Sequence, residues 1–347
     1  MADTPAPIRS TGIGSWPGLD FAEALRINFA ECPELPYLPE LPARGPEAGL
    51  VGRGVAVLEG LSVDLQPAGW RLTDAPGRDH LRARTMLRDD RDRLEEAVQD
   101  YVGPFKVAIA GPWTLAATVE RPRGDRVLAD HGARRDLGQS LAEGIGSFIA
   151  DLRRRLPHLE LIVQLDEPAL PAVLAGDLST ASGFSRHRKI DIAEVSDGLS
   201  GVLAAIRSAL GDSGPPAVPR TWLHSCAAGV PVMLIKNAGF DGLAVDLDQL
   251  TTADWDLLGH AMSDGLWLGA GAVTTSTGPA TDRQWSPDSV GQRVLRAVRT
   301  LGLEPEVGGR MVLSPSCGLA RFDQASAVRA LRAARTAAGI VTDQLAD

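Results

Sequence analysis

The stretch Leu159-Glu160-Leu161-Ile162-Val163-Gln164-Leu165-Asp166-Glu167-Pro168 joins an apolar run to two carboxylates and a proline. An aliphatic run of this length is typical of a strand that is buried on both faces of a parallel sheet. The acidic residues then mark the carboxyl end of the strand, where parallel α/β proteins place their chemistry. Recurrence of this pattern along the chain therefore decides the fold class.

Further apolar segments along the chain resemble this strand, and stretches with the periodicity of amphipathic helices lie between several of them. The predicted strands are Thr11–Ser15, Val55–Val63, Lys106–Ala110, Leu159–Leu165, Arg220–His224, Gly242–Asp246, Leu266–Gly271 and Met311–Ser314. The predicted amphipathic helices are Arg91–Val102, Leu137–Leu156 and Ala325–Ala338. Strands that alternate with helices in this way predict an α/β fold of the TIM (β/α)8 barrel type, with a doubly wound open sheet as the alternative.

The chain has 347 residues. At about 150 residues per domain, this length allows one large domain or two ordinary ones. The turn-rich segment Ser208–Pro219 could serve as a linker, but it would split the predicted strands unequally. We therefore expect residues 1–347 to form a single barrel, the catalytic domain, with an N-terminal extension and loop insertions.

Charge and composition restrict the partners. A net charge of −9 and a pI near 5.2 give no global basic face, which argues against nucleic acid. No run approaches the roughly 18 apolar residues of a membrane span, and Met1–Pro7 lacks the features of a secretory signal. The 3 cysteines cannot form a disulfide framework, so we expect a cytoplasmic protein with free thiols.

Two of these cysteines follow predicted strands. His224 and Cys226 stand two residues apart at one strand end, so both point to the same side, and Cys317 follows the last strand. Imidazole and thiolate ligands favour zinc, with Asp246 or Asp248 as a further ligand. The alternative is that these cysteines are small buried side chains and that the histidine has a structural partner. Cys32 has no nearby partner and is expected to be structural.

Asp166 and Glu167 are adjacent, so they should point to opposite sides of the strand end rather than form one acid–base pair. One of them is expected to enter a pocket, where it could bind a substrate amine, and the alternative is an acidic helix N-terminus before Pro168. The chain lacks a P-loop, and the Gly12-Ile13-Gly14 segment is too short for a dinucleotide fingerprint. Gly14-Ser15-Trp16-Pro17 does not fit the nucleophile elbow of serine hydrolases.

Taken together, four motifs resemble the catalytic, C-terminal barrel of the cobalamin-independent methionine synthase family, in a short single-barrel form. The motifs are Ile13-Gly14-Ser15, Asp166-Glu167-Pro168-Ala169-Leu170, His224-Ser225-Cys226 and Pro315-Ser316-Cys317-Gly318-Leu319. They occur in the family's order over nearly the whole chain. The resemblance implies a barrel of the uroporphyrinogen decarboxylase and methionine synthase type, which transfers a methyl group to the thiol of homocysteine.

The resemblance also implies a role for each matching residue. His224, Cys226 and Cys317 fall on catalytic zinc ligands, and Asp246 is the best counterpart of a glutamate ligand, with Asp248 as the fallback. The residues that fall on the homocysteine site are Asp166 for the amino group and Ile13, Gly14 and Ser15 for the carboxylate. A further family glutamate that contacts the amino group corresponds to Glu40 or Glu47.

Two departures from the family concern the methyl donor. Full-length members carry an N-terminal barrel that helps to bind folate, and this chain has no counterpart of it. A family histidine that is thought to supply a proton is replaced by Ser276. We therefore expect a methylcorrinoid or corrinoid-protein donor, with methyltetrahydrofolate as the second choice. The alternatives are a zinc methyltransferase for another thiol such as coenzyme M, a uroporphyrinogen decarboxylase-like enzyme, and a binding protein without activity.

Overall fold

A curled parallel sheet forms the centre of the protein in a computed structural model, which describes residues 7–211, 218–275 and 285–346. The strands in chain order are β1 (Arg9–Ser10), β2 (Ser62–Gln66), β3 (Gly69–Thr73), β4 (Gly103–Ala110), β5 (Leu159–Asp166), β6 (Thr221–Ser225), β7 (Gly242–Asp246), β8 (Trp267–Val273) and β9 (Met311–Pro315). Seven of them form the sheet in the order β1-β9-β8-β7-β6-β5-β4, with every pair parallel. Strands β2 and β3 form a separate antiparallel pair.

An extended segment at residues 36–40 lies between the two edge strands of this sheet. On one side, the Leu38 amide donates to the Lys106 carbonyl of β4 at 2.8 Å. On the other, Trp16 donates to the Glu40 carbonyl at 2.7 Å, and Glu40 donates to Gly14 at 3.0 Å. These are single parallel bridges, so the described residues contain seven regular strands in the sheet and no regular eighth.

Helices cover the outside of the sheet. They are α1 (Phe21–Glu31), α2 (Leu50–Ala56), α3 (Arg78–Ala97), α4 (Pro112–Thr118), α5 (His131–Arg155), α6 (Leu170–Ala175), α7 (Ile192–Leu210), α8 (Val232–Ala238), α9 (Thr252–Ser263), α10 (Pro287–Leu301), α11 (Pro305–Gly308) and α12 (Gln324–Ala346). Helix α5 illustrates why they form: Asp130 caps its N-terminus, and Leu141, Ile145 and Leu152 are buried on one face. None of the helices in the described ranges is long and apolar enough to cross a membrane.

The predicted strand Val55–Val63 is wrong. Its first part belongs to helix α2, and only its last residues enter β2, outside the central sheet. A short apolar run fits a buried helix as well as a buried strand, so periodicity alone cannot separate them. Gly54 allows the close packing of this helix, since a Cβ there would lie 3.0 Å from Ala110 at the end of β4.

Other boundaries also differ from the sequence prediction. Regular pairing stops at Ser10, so the predicted strand Thr11–Ser15 is mostly a loop beyond β1. The predicted helix Arg91–Val102 lies largely within α3, which begins earlier and ends at Ala97. The remaining predicted strands are confirmed, with ends that shift by at most three residues. The two remaining helices are confirmed but are longer than predicted, because α5 begins at His131 and α12 ends at Ala346.

Candidate active site

The predicted site residues gather at the carboxyl ends of β5, β6, β7 and β9. Alternation along each strand decides which side chains face the interior. Gln164, Trp222 and Ala244 line a small cavity of about 20 Å³ inside the sheet. The residues two positions further along these strands are Asp166, His224 and Asp246, which therefore face the same interior at its upper end.

Asp166 and His224 lie opposite each other in the register of β5 and β6. His224 Nδ1 lies 2.8 Å from Asp166 Oδ1, and both residues are buried. Burial lowers the pKa of His224, but the hydrogen bond to Asp166 and its negative charge raise it by more, so the net shift is upward. His224 Nε2 is buried and has no hydrogen-bond partner among the described residues.

The two predicted cysteine ligands are in contact. Cys226 Sγ lies 3.0 Å from Cys317 Sγ, and both thiols are free and partly buried. The hydrogen bond from Cys226 lowers the pKa of Cys317 to about 6 against the effect of burial, and the nearby His224 lowers it further. The same bond, together with burial, raises the pKa of Cys226. The opposite shifts make Cys317 the more acidic of the two thiols.

The chemistry of these side chains suits zinc, although their arrangement is not a formed metal centre. Among the described residues, no group of three or more His, Cys, Asp or Glu side chains is placed to hold a metal ion. The unpartnered His224 Nε2 and the two thiols are nevertheless the donor types that zinc prefers. Two sulfurs at about 2.3 Å from one tetrahedral zinc are about 3.8 Å apart, so Cys226 and Cys317 would have to separate by about 0.8 Å.

The structure distinguishes the two aspartates that the sequence left open. Asp246 ends β7, is buried, and accepts a hydrogen bond from the Asp248 amide at 3.0 Å. Burial raises its pKa. Asp248 is 40% exposed and lies 2.9 Å from Arg293. Asp246 is therefore the aspartate that lies in the buried interior, whereas Asp248 belongs to a surface ion pair.

The loop at residues 13–15 has its carbonyls bonded and its amides free. The Ile13 carbonyl accepts from Gln164 at 3.0 Å, Gly14 from Glu40 at 3.0 Å, and Ser15 from Leu319 at 2.8 Å. The amides of these three residues have no acceptor within the part of the chain that the structure describes. Successive unpaired amides of this kind can bind an anion such as a carboxylate.

A glycine brings the Cys317 loop against this amide-bearing loop. A Cβ at Gly318 would lie only 2.0 Å from Ser15 Oγ, so the close approach requires glycine. The Leu319 amide then reaches the Ser15 carbonyl. The loop that carries Cys317 therefore packs against the loop that carries the free amides.

The structure also distinguishes the two candidate glutamates, Glu40 and Glu47. Glu40 is buried beside Gly14, and its carboxylate lies 3.5 Å from Arg53. Burial raises its pKa to about 7; Arg53 lowers it, and the charge of Asp166 raises it. Glu47 is also buried, but it pairs with Arg82 in a different neighbourhood. Glu40 is therefore the glutamate that borders the candidate site.

Glu167 points away from the site. It is fully buried and accepts hydrogen bonds from the Trp113 amide at 2.9 Å and from the Thr114 amide and hydroxyl at 2.7 Å. It thus anchors the first turn of α4, while Asp166 faces His224. The two adjacent carboxylates occupy opposite sides, as the alternation predicts.

Two buried polar residues of the interior were missed at the sequence level. Lys106 on β4 and Gln164 on β5 lie one layer below the site and bond to each other. The signal was present, because Gln164 interrupts an aliphatic run two residues before Asp166. Cys32 is buried away from the other cysteines, and burial raises its pKa to about 12, which suits the structural role expected for it. Ser276 lies outside the described residues.

Comparison with known proteins gives a likeness of fold. No family model and no curated protein matches the chain. A B12-independent methionine synthase from Shewanella sp. W3-18-1, solved with selenomethionine, superposes with a TM-score of 0.61 at 14% identity, over 98% of this chain and 99% of that one. An endoglucanase from Clostridium longisporum covers 76% of this chain at 9% identity with a TM-score of 0.32, too low to carry an argument. At 14% identity, the first likeness indicates a shared α/β fold.

Proposed function

We propose that the protein is a zinc-dependent methyltransferase that methylates the thiol of homocysteine and so forms methionine, on a (β/α)8 barrel. The observation that carries this proposal is a convergence at one end of the sheet. The unpartnered His224 Nε2 and the two thiols lie next to a loop whose amides are free. The likeness of fold to a methionine synthase supports the proposal.

We propose that the metal would be held by four residues, His224, Cys226, Cys317 and Asp246. Zinc, when bound, keeps a coordinated substrate thiol deprotonated at neutral pH and so nucleophilic. Asp166 accepts a hydrogen bond from His224 Nδ1, which would leave Nε2 as the nitrogen available to the metal. A carboxylate that orients a ligating histidine in this way is a common feature of zinc sites.

The amino-acid part of the substrate would bind beside these ligands. The amides of Ile13, Gly14 and Ser15 are proposed to bind its carboxylate. The hydrogen bonds that Asp166 receives from side chains both go to Oδ1, which leaves Oδ2 for the substrate ammonium group. The charge of Asp166 raises the pKa of Glu40, so the two carboxyl groups lie close together. Glu40 is therefore the second candidate partner for the ammonium group.

In the transfer step, the thiolate sulfur attacks the methyl carbon of the donor. A sulfur–carbon bond forms, the bond between carbon and donor breaks, and its electron pair leaves with the donor. A methyl-folate must also gain a proton at the leaving nitrogen, which calls for a general acid. Since Ser276 replaces the family's histidine, we propose a methylcorrinoid or a corrinoid protein as the donor, with methyltetrahydrofolate second.

Metal content tests the centre of this proposal. Wild-type protein reconstituted with zinc should retain about one zinc per chain after dialysis, as measured by plasma mass spectrometry. Cys226→Ser and Cys317→Ser should lose it, whereas Cys32→Ser is the matched control and should keep it. Equal zinc in all four proteins, or none in the wild type, would refute the metal site.

Turnover tests the reaction. Zinc-loaded protein is incubated with homocysteine and either methylcobalamin or methyltetrahydrofolate, and methionine is measured by mass spectrometry. Methionine from methylcobalamin is the expected result, and turnover with methyl-folate alone would refute the corrinoid donor. Coenzyme M is offered in parallel. Its preferential methylation would refute homocysteine as the acceptor.

A further inference from the structure

A chain of hydrogen bonds runs through the interior of the sheet below the candidate site. Lys106 Nζ donates to the Gly12 carbonyl at 2.5 Å and to Gln164 Oε1 at 2.6 Å. Gln164 Nε2 donates to the Ile13 carbonyl at 3.0 Å and to Asp166 Oδ1 at 2.7 Å. Two side chains thus hold both the loop and the aspartate.

These bonds fix the direction of the free amides. The chain contains no cis peptide bond in its described residues, and in a planar trans peptide the N–H points opposite to the preceding carbonyl. Lys106 bonds the Gly12 carbonyl and so sets the direction of the Ile13 N–H. Gln164 bonds the Ile13 carbonyl and so sets the direction of the Gly14 N–H.

Both side chains are shielded from bulk solvent. Lys106 and Gln164 are 3% and 1% exposed. The cavity that they line has a volume of about 20 Å³, which is room for about one water molecule. Burial also lowers the pKa of Lys106 to about 8. Apolar side chains fill inward positions of the neighbouring strands at Ala244 and Val312, so packing alone does not explain a lysine and a glutamine here.

We propose that Lys106 and Gln164 are positioning residues that aim the amides of Ile13 and Gly14 at the carboxylate of an amino-acid substrate. Gln164 also holds Asp166 toward the substrate amine. This inference rests on the proposed function, because it assumes an amino-acid thiol above the loop. Under this proposal, the polar side chains inside the sheet make the site selective for amino-acid thiols over simple thiols.

Three thiols separate this role from a merely structural one. Homocysteine has both the carboxylate and the amine, aminopropanethiol lacks the carboxylate, and propanethiol lacks both. Their dissociation constants are measured by calorimetry on zinc-loaded protein. Lys106→Met should weaken homocysteine binding by about 10- to 100-fold, the range typical of lost supporting hydrogen bonds, and leave aminopropanethiol nearly unchanged.

Gln164→Glu covers the case in which Lys106→Met does not fold. The substitution keeps the shape and the acceptor for Lys106, but it removes the donors to Ile13 and Asp166. It should weaken both amine-containing thiols and spare propanethiol. Gln139→Glu, the same change at an exposed position of α5, is the matched control and should bind all three as the wild type does.

Each outcome decides between the alternatives. Wild-type homocysteine affinity in Gln164→Glu, or equal weakening of all three thiols, would refute the positioning role while leaving the proposed function intact. A wild-type protein that binds homocysteine no more tightly than propanethiol would refute the proposed function itself and this inference with it. Loss of homocysteine preference with the melting temperature preserved would establish the role.

Discussion

Replacing Gly318 by alanine tests whether the Cys317 loop must lie against the amide loop. The new Cβ would lie 2.0 Å from Ser15 Oγ and 3.1 Å from Ser15 Cβ, whereas comfortable contacts begin at about 3.5 Å. Either Ser15 Oγ rotates and loses its hydrogen bond from Ala320, or the loop retreats. We expect a destabilisation of about 1 to 2 kcal/mol and a melting temperature lower by about 1 to 3 °C.

A double-mutant cycle isolates the contact. Ser15→Ala removes the oxygen, so Gly318→Ala should cost about 1 kcal/mol less in that background than in the wild type. Zinc retention should fall in the single variant, because Cys317 moves with the loop, and should recover in the double variant. Unfolding is followed by calorimetry and by denaturant titration.

The matched control is Gly201→Ala in helix α7, where the structure has no atom within 4 Å of the new Cβ. That variant should be more stable than the wild type by about 0.5 to 1 kcal/mol. The reasoning is refuted if Gly318→Ala melts at the wild-type temperature and shows no coupling with Ser15→Ala.

Three further predictions concern single carboxylates. Asp246→Asn should lower zinc content measured by mass spectrometry, whereas Asp248→Asn should not, because that carboxylate already pairs with an arginine at the surface. Burial raises the pKa of the Glu167 carboxyl from 4.5 to about 7. The raised pKa contributes stability that is fully present below pH 4.5, and this contribution is lost as the pH rises through 7. The stability of Glu167→Gln relative to the wild type should therefore rise by about 3 kcal/mol between pH 4 and pH 8 in denaturant titrations, and a constant difference would contradict this. Glu40→Gln should weaken homocysteine binding in calorimetry, and Glu47→Gln should leave it unchanged.

The positions of polar side chains at the strand ends are predictable from the sequence because strand geometry is regular. Long aliphatic runs in the sequence predict strands β4–β9 to within a few residues. Alternation predicts that Asp166 and Glu167 point to opposite sides, but the pairing of Asp166 with His224 is visible only in the strand register. The sequence did not settle Asp246 against Asp248, because that choice depends on which carboxylate finds an arginine partner on another helix.

Other parts of the fold depend on contacts that no local pattern records. Helix α2 is as apolar as a strand, and only its close packing on Ala110 distinguishes it. The edge segment at residues 36–40 contains prolines and makes only single bridges, so it carries no strand signal. A proline cannot donate to a sheet, which is why such a segment can lie at a sheet edge without forming a regular strand.

The polar interior links the stability of the sheet to the geometry of the site above it. At neighbouring inward positions the core is filled by Trp222, Ala244 and Val312, and only the Trp222 indole needs a hydrogen-bond partner, which is the Pro219 carbonyl at 2.7 Å. Apolar residues at Lys106 and Gln164 would remove a buried charge and the cost of its desolvation. They would also free the carbonyls of Gly12 and Ile13, whose peptide planes could then turn. The direction of the amides therefore depends on two polar side chains whose hydrogen bonds also satisfy buried backbone carbonyls.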